Sequence, residues 1–455
     1  MLMKTPRVAL LIQLTGALGL FAQGALTPPG APAPVMKTLQ QIEPRFPISV
    51  IPTNLTIGGS YYLTTNLTGT VGFHGITLST SNITVDLNGF SLTGAAGSQD
   101  GISAGSANIV VRNGTLRNWG GYGLNAFVNN ARVEHVNVLQ NGTNGLRVGA
   151  GSVVLNCEAF GNGGTGIQAL NDSTVIGCTS NDNGREGYSG SGVFLDCVAV
   201  RNGSSGFQGG GSFGRCKASD NGKTVTGNGF VLNSASVITA SVADRNVGTG
   251  ISAANDNCII KDCTAVGNTN SGILVTGTSA TVKDCTAESN GRNGIESGGR
   301  CVISHCTVTG NATNGIVGGT GAHISDCLVG VSGGHGITAG LGATIKNCTV
   351  QFNTLNGISV IGDTLVRENI CYSNGNGGDG AGIVVSGNRS RIEGNNCSNN
   401  DRGIDVNSTG NLIIGNSAAG NTTNYDIIAG NRTGTIVTTE AAMNVATNSL
   451  INVSY

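Results

Sequence analysis

The sequence predicts an all-β fold, a right-handed parallel β-helix solenoid in which short strands coil around one interior. The first observation is a repeat: cysteines recur nine residues before a Gly-Ile, Gly-Phe or Gly-Tyr step, and neighbouring motifs lie 19 to 22 residues apart. The second is short-range alternation broken by Gly, Asn and Ser, which is typical of short strands. The third is that no proline follows Pro52, as expected where nearly every backbone N–H joins a strand ladder. The eight repeat cysteines are Cys157, Cys178, Cys197, Cys263, Cys285, Cys306, Cys327 and Cys348.

The N-terminus predicts an export signal over residues 1–24. Lys4 and Arg7 precede the apolar run VALLIQLTGALGLFA, and Ala22-Gln23-Gly24 fits the small residues of a cleavage site. The run is shorter than the roughly 20 residues that span a bilayer, so we expect no membrane span. Residues 25–52 then read as a proline-rich linker.

The remaining chain divides into an N-terminal cap over residues 53–80, a β-helix over 81–430 and a C-terminal cap over 431–455. A unit of this length cannot bury an apolar face alone, and no helical pattern is present to cover a flat parallel sheet. Coiling pairs every turn with the turns above and below it. At roughly 21 to 22 residues per coil we expect about 16 coils, with the right-handed sense usual for parallel crossovers.

Composition limits the function. The chain of 455 residues has a net charge of −1, 11% charged and 4% aromatic residues, and no long run of one charge. The basic surface of a nucleic-acid-binding protein is therefore missing.

The cysteines have two interpretations. An inward stack of small apolar thiols fits a tight interior, whereas a disulfide framework would suit an exported protein. In-register neighbours have nearly parallel Cβ directions, and the total of 13 is odd, which favours the stack.

A polar column beside the cysteines also has two interpretations. Asp and Asn there are typical of tight turns, although stacked carboxylates with a histidine could hold a cation. We favour turns and expect no metal site. The column comprises Asn156, Asp196, Asp262, Asp284, His305, Asp326 and Asn347.

These motifs resemble the bacterial right-handed parallel β-helix repeat proteins of the pectin-lyase-like group. The resemblance rests on VDLNGFSLTG (85–94), IVVRNGTLRNWGGYGL (109–124) and the repeated N-G-x-x-G-I steps. It implies a right-handed coil and, if the protein is an enzyme, a polysaccharide lying along one outer face. A lyase of this group would need calcium carboxylates and a basic residue, and a hydrolase an Asp cluster; neither constellation is intact here.

Candidate site residues come from irregularities on the outer surface. The late coils are rich in charge and carry the insertion GNGGDGAG, so Asp379, Arg402 and Asp405 are candidate catalytic residues, with surface ion pairing as the alternative. Candidate substrate-binding residues are Trp119 and Tyr122, which could stack on a sugar or pack in a turn, together with Glu296 and His335. The outward column after each Gly-Ile step is mostly small, neutral and polar: Ser103, Asn125, Arg147, Gln168, Ser189, Gln208, Val231, Ser252, Leu274, Glu296, Val317, Thr338, Ser359, Val384 and Asp405.

We therefore expect a secreted or periplasmic protein that binds or displays glycan at the cell envelope without catalysis. The alternative is a polysaccharide lyase, hydrolase or epimerase with its site on the late coils. No cofactor is expected, and calcium would be needed only by a lyase. The expected partner is a polysaccharide or cell-envelope glycan and not nucleic acid; the sequence leaves the oligomeric state open.

Overall fold

The computed structural model describes residue 37 and residues 39–233, 235–445 and 450–455. The predicted export signal and residues 25–36 of the proline-rich segment lie outside the described residues. The chain divides into Met1–Pro44, in which the described part holds one short helix, Leu39–Ile42, and Arg45–Tyr455. The strands and a second helix, Glu440–Val445, belong to the latter unit.

Arg45–Tyr455 is a parallel β-helix whose strands form three rows. The first row comprises Thr53–Leu55, Ile76–Leu78, Ile102–Ala104, Leu124–Ala126, Leu146–Val148, Phe230–Leu232, Ile251–Ala253, Ile273–Val275, Ile295–Ser297, Ile316–Gly318, Ile337–Ala339, Ile358–Val360, Ala381–Val385, Arg402–Val406 and Thr423–Ile427. The second row comprises Phe46–Ile48, Gly59–Leu63, Ile83–Asp86, Val153–Leu155, Val237–Thr239, Ile259–Lys261, Thr281–Lys283, Val302–Ser304, His323–Ser325, Thr344–Lys346, Leu365–Arg367, Arg391–Glu393, Leu412–Ile414 and Arg432–Thr433. The third row comprises Leu67–Thr68, Ser91–Thr93, Glu158–Phe160, Thr179–Asn181, Val198–Val200, Lys217–Ser219, Val242–Asp244, Thr264–Val266, Thr286–Glu288, Thr307–Thr309, Leu328–Gly330, Thr349–Gln351, Ile370–Tyr372, Asn396–Ser398, Ser417–Ala419 and Asn452–Ser454, the last of which also pairs with Ile436–Val437.

Five longer strands run through two rows. Ile167–Ile176, Tyr188–Leu195 and Phe207–Gly214 belong to the first and second rows, and Ile109–Arg117 and Arg132–Leu139 to the second and third. All strand pairing is parallel and joins equivalent residues of successive coils, as in Ile251, Ile273 and Ile295. The predicted fold class is confirmed, with about 18 turns where the sequence predicted about 16. The pairing begins at Phe46–Ile48, within the segment predicted as a linker, and the segment predicted as an N-terminal cap contributes Thr53–Leu55 and Gly59–Leu63 to the rows.

Alternation places one side of every strand in the interior. In the coil around Cys285, the side chains of Val282, Cys285 and Ala287 are buried, whereas Thr281 and Thr286 point outward. All 13 cysteines are described and buried, and none of them forms a disulfide. Cys371 and Cys397 are register partners, and the Cys157 N–H donates to Cys178 Sγ at 3.3 Å. The sulfurs therefore fill the interior as thiols.

The corners between rows use left-handed backbone. Every residue of the predicted polar turn column has positive φ, for example Asn156 at 49°, Asp284 at 53° and His305 at 55°. Asn, Asp and Gly tolerate this region better than other residues, so the turn interpretation is confirmed.

A buried row of asparagines closes the corner between the third and first strand rows. Asn268 Nδ2 donates to Asn290 Oδ1 at 3.0 Å, and the same bond links the neighbouring coils. Most of these amides also donate to a backbone carbonyl, as Asn290 does to Ala265 O at 3.1 Å. The amide groups of these asparagines are thereby satisfied inside an apolar coil.

Candidate functional site

Arg402 holds three carboxylates together on the late coils. Its guanidinium lies 2.7 Å from Asp379 Oδ1, 2.9 Å from Asp405 Oδ2 and 3.4 Å from Asp426 Oδ2. The three residues predicted as catalytic, Asp379, Arg402 and Asp405, are thus brought together. Asp426, which the sequence reasoning missed, joins them because it is the register partner of Asp405 in the next coil. Extending the outward column by one coil identifies it.

We name Asp379, Arg402, Asp405 and Asp426 the late-coil cluster. A strand and a loop position its side chains. Arg402 and Asp405 lie on the first-row strand Arg402–Val406, whereas Asp379 lies in the inserted loop. Asp401 fixes the loop, because its Oδ2 accepts the N–H groups of Gly378 and Gly380, both at 3.1 Å. The insertion therefore carries a carboxylate to a strand that is otherwise regular.

Burial differs sharply within the late-coil cluster. The Asp405 side chain is 4% exposed and that of Asp379 is 77% exposed, with Arg402 at 30%. Asp405 Oδ1 has no hydrogen-bond partner among the described residues, although Oδ2 also accepts from Asn407 at 3.1 Å. The hydrogen bond to Asp405 raises the pKa of Arg402, so this guanidinium stays charged.

His335 and Asp379 line one pocket of about 280 Å³, together with Leu355 and Asn356. The Asn356 N–H donates to His335 Nδ1 at 3.2 Å. The equivalent residue one coil earlier makes the same kind of bond, because Asn314 Oδ1 accepts the His335 N–H at 2.9 Å. Burial lowers the pKa of His335, which favours the neutral ring. His335 thus serves as a turn residue and also faces the pocket.

Trp119 does not reach the surface, and its prediction as a sugar-stacking residue is wrong. The side chain is 1% exposed, and its indole N–H donates to Leu92 O at 3.1 Å. It occupies interior space left by glycines: a Cβ on Gly69 would lie 2.4 Å from the ring. A position beside a Gly-rich turn is compatible with an inward or an outward ring, and only the coil geometry distinguishes the two.

The exposed aromatic of this region is Phe127, which sequence reasoning missed. Its side chain is 48% exposed, and the Arg147 guanidinium carbon lies 3.6 Å from the ring centroid. Tyr122 is half-buried, with its ring centroid 5.9 Å from the same carbon. We name these three residues the early aromatic patch. The alternation of Leu124, Asn125, Ala126 and Phe127 is the signal that identifies Phe127 as outward.

Glu296 lies on the first row between the two groups. Its Oε2 accepts from Asn293 Nδ2 at 2.8 Å, and the side chain is partly exposed. The early aromatic patch, Glu296 and the late-coil cluster share one outer face but do not form one pocket. Among the described residues, no group of His, Cys, Asp and Glu has an arrangement suited to a metal ion.

Residues 212–329 match the family described as a right handed beta helix region. No curated protein sequence matches the chain. Similar solved structures include the A-module of mannuronan C-5 epimerase AlgE4 from Azotobacter vinelandii, with 13% identity, coverage of 78% of this chain and 87% of that chain, and a TM-score of 0.26. The periplasmic alginate epimerase AlgG has 10% identity, coverage of 77% and 75%, and a TM-score of 0.21. A mutant tailspike protein of E. coli bacteriophage HK620, in complex with pentasaccharide, has 12% identity, coverage of 87% and 72%, and a TM-score of 0.27.

Neither described helix is long and apolar enough to cross a membrane.

Proposed function

Because the chain is a right-handed parallel β-helix protein, we propose that it binds a polysaccharide lengthwise along the outer face of the first strand row. The supporting observation is the register: Asn125, Arg147 and Gln168 are partners in successive coils, as are Val384, Asp405 and Asp426 further along. Outward side chains therefore repeat about every 4.8 Å along a straight line. A linear polymer of sugar residues presents hydroxyl groups on a comparable repeat.

The early aromatic patch supplies the apolar part of this surface. A sugar ring packs its C–H face against an aromatic ring, and Phe127 presents an accessible one. Arg147 stacks on Phe127 and holds the phenyl ring in place. The mostly neutral polar column between the patch and the late coils offers hydrogen bonds to hydroxyl groups.

The late-coil cluster favours a neutral glycan at its end of the face. Three carboxylates surround one guanidinium, so the local formal charge is −2. Hydroxyl groups can donate to the accessible Asp379 and Asp426 carboxylates, whereas a uronate would be repelled.

We infer that this binding is not catalytic. Arg402 is a poor general base, because its pKa is raised and it is committed to three carboxylates. His335 Nδ1 is occupied, because it accepts the Asn356 N–H at 3.2 Å. We further propose export to the cell envelope, which the charged and apolar N-terminal segment supports.

Binding to neutral polysaccharides, measured by affinity electrophoresis with the protein lacking residues 1–24, tests the proposal. We expect retardation by at least one neutral polysaccharide, weakened about tenfold in Phe127→Ala, since one stacking contact contributes about 1.4 kcal/mol. Phe352→Ala is the matched control, because Phe352 is similarly exposed, at 51%, and lies off the first row. Equal loss in both variants, or no retardation by any neutral polysaccharide, would refute the proposal.

A carbohydrate-active enzyme is the second candidate, favoured by the buried Oδ1 of Asp405, which has no hydrogen-bond partner among the described residues, and by Arg402, which joins Asp405 to Asp379 in the lining of the His335 pocket. The assay follows unsaturated products, reducing ends and the epimer ratio across neutral and uronate polysaccharides, with and without calcium. Activity abolished by Asp405→Asn, with glycan binding retained, would support the enzyme over the binding protein.

A further inference from the structure

A groove of about 620 Å³, separate from the pocket of His335, lies on the second strand row near its C-terminal end. Three guanidinium groups line it, those of Arg389, Arg391 and Arg432, and its lining contains no carboxylate residue. The groove is on a different row from the early aromatic patch and the late-coil cluster, so it is a separate site. We name it the arginine groove.

Two columns of equivalent residues build the arginine groove. Leu365, Arg391, Leu412 and Arg432 are successive register partners, and Arg391 and Arg432 are thus two coils, about 10 Å, apart. The adjacent corner column has Arg389, then Gly410 and Gly430, all with positive φ.

Gly410 leaves room beside the arginines, whereas a Cβ on Gly430 would lie 3.0 Å from Thr409. A Cβ on Gly410 would have no neighbour closer than 4.0 Å, so this corner is open where other coils carry a side chain. The groove therefore runs along the coil axis past the guanidinium groups.

The charges in the arginine groove are unequally compensated. Arg389 and Arg391 each form two hydrogen bonds, of 2.6–2.8 Å to Asp363 and of 2.7–3.0 Å to Glu393. Each retains further N–H donors, since a guanidinium carries five. Arg432 is exposed and forms no ion pair with any described residue. The groove thus has one uncompensated positive charge, that of Arg432, and two guanidinium groups that their carboxylate partners hold in a fixed orientation.

Such a groove fits anionic groups spaced along a thread. A guanidinium binds sulfate or carboxylate oxygens in a bidentate manner. The separation of Arg391 and Arg432 matches anionic groups on alternate residues of a linear polysaccharide better than the phosphates of a duplex, because duplex binding draws on many cations and this chain has a net charge of −1. We propose that the arginine groove binds a polysaccharide bearing sulfate or carboxylate groups, independently of the neutral-glycan face.

Calorimetric titration at low ionic strength tests this, with dextran sulfate and alginate as probes and dextran and a DNA duplex as comparisons. We expect binding of at least one anionic polysaccharide, weakened up to about fivefold by Arg432→Gln, the upper end of the range for one exposed charge pair. Arg292→Gln is the control, because Arg292 is exposed in a corner elsewhere and the change in net charge is the same.

Equal effects of the two arginine variants would overturn the proposal, because binding would then follow net charge alone. Binding of the duplex as tightly as of the polysaccharides, with the same loss in Arg432→Gln, would overturn the glycan assignment. Phe127→Ala should leave dextran sulfate and alginate binding unchanged. The proposal for the arginine groove can therefore be tested separately from the proposal for the neutral-glycan face.

Discussion

Ser332→Asn should stabilise the protein by completing the buried asparagine row. Ser332 occupies the row position between Asn311 and Asn353, and its Oγ is buried without a hydrogen-bond partner. Asn311 Nδ2 instead donates to Thr309 O at 3.1 Å, a bond made within its own coil. The row is interrupted at this one corner between Asn141 and Asn374.

The magnitude follows from the intact corners. Asn290 donates Nδ2 to a carbonyl and to the next amide oxygen, and its own Oδ1 accepts the Asn268 N–H and Nδ2. Ser332→Asn would add about three such bonds, each with a net contribution of about 1 kcal/mol, offset by the ordering of one amide side chain. We expect a gain of about 2 kcal/mol in the free energy of unfolding. The Ser332 corner has the geometry of an intact one, because a Cβ on Gly315 would lie 2.3 Å from Val329 and 3.0 Å from Ser332 Oγ, and one on Gly294 would lie 2.3 Å from Val308 and 2.6 Å from Asn311 Nδ2.

Urea unfolding followed by circular dichroism measures the change, with refolding checked for reversibility. Asn290→Ser is the matched control, because it creates the same interruption in another coil and should cost at least as much as the first variant gains. Ser332→Ala removes the unpartnered hydroxyl without supplying an amide. If Ser332→Ala stabilises as much as Ser332→Asn, the gain comes from removing a buried hydroxyl and the reasoning about the amide row is refuted.

Three further predictions concern single side chains. Tyr188→Phe should lower the free energy of unfolding by about 1 kcal/mol, because it removes the one hydrogen bond of the phenol O–H, which donates to Cys178 O at 2.5 Å with Val198 O at 3.2 Å as the alternative acceptor; an unchanged urea midpoint would contradict this. Cys285→Ser should cost no more than about 1.5 kcal/mol, because a hydroxyl can keep the bond to the carbonyl two residues back, and a larger loss would show that the sulfur's apolar volume dominates. The lowered pKa of His335 makes the unfolded state bind more protons, so wild-type stability should be full above pH 6.5 and fall as the pH drops from there through the folded-state pKa; His335→Asn should remove this dependence, and parallel pH profiles would refute it.

The regular repeat of the sequence made the fold predictable. The direction of a side chain at an irregular position could not be predicted in the same way. Cys285 and Asp284 repeat with their neighbours, so one interior position and one corner position could be assigned to every coil. Asp379 and Arg402 were found because an insertion and dense charge mark the place where regularity fails. Trp119 was misassigned because the residue types next to it in the sequence do not determine whether its ring enters the interior space beside Gly69. The asparagine row was visible in the sequence as N-G steps, but its continuous hydrogen bonding depends on coil spacing.

The arginine groove follows from the way the coils compensate their charges. At several corners a carboxylate pairs with an arginine one coil later, as Asp196 does with Arg215 and Asp363 with Arg389. In these pairs the carboxylate lies one coil before the arginine, and the register partner one coil before Arg432, at the end of the second row, is Leu412. Arg432 is therefore left without a carboxylate partner, while Gly410 keeps its surroundings open. A solenoid that neutralises its charges from coil to coil concentrates its binding capacity where the repeat stops or is interrupted, and both the arginine groove and the late-coil cluster lie at such places.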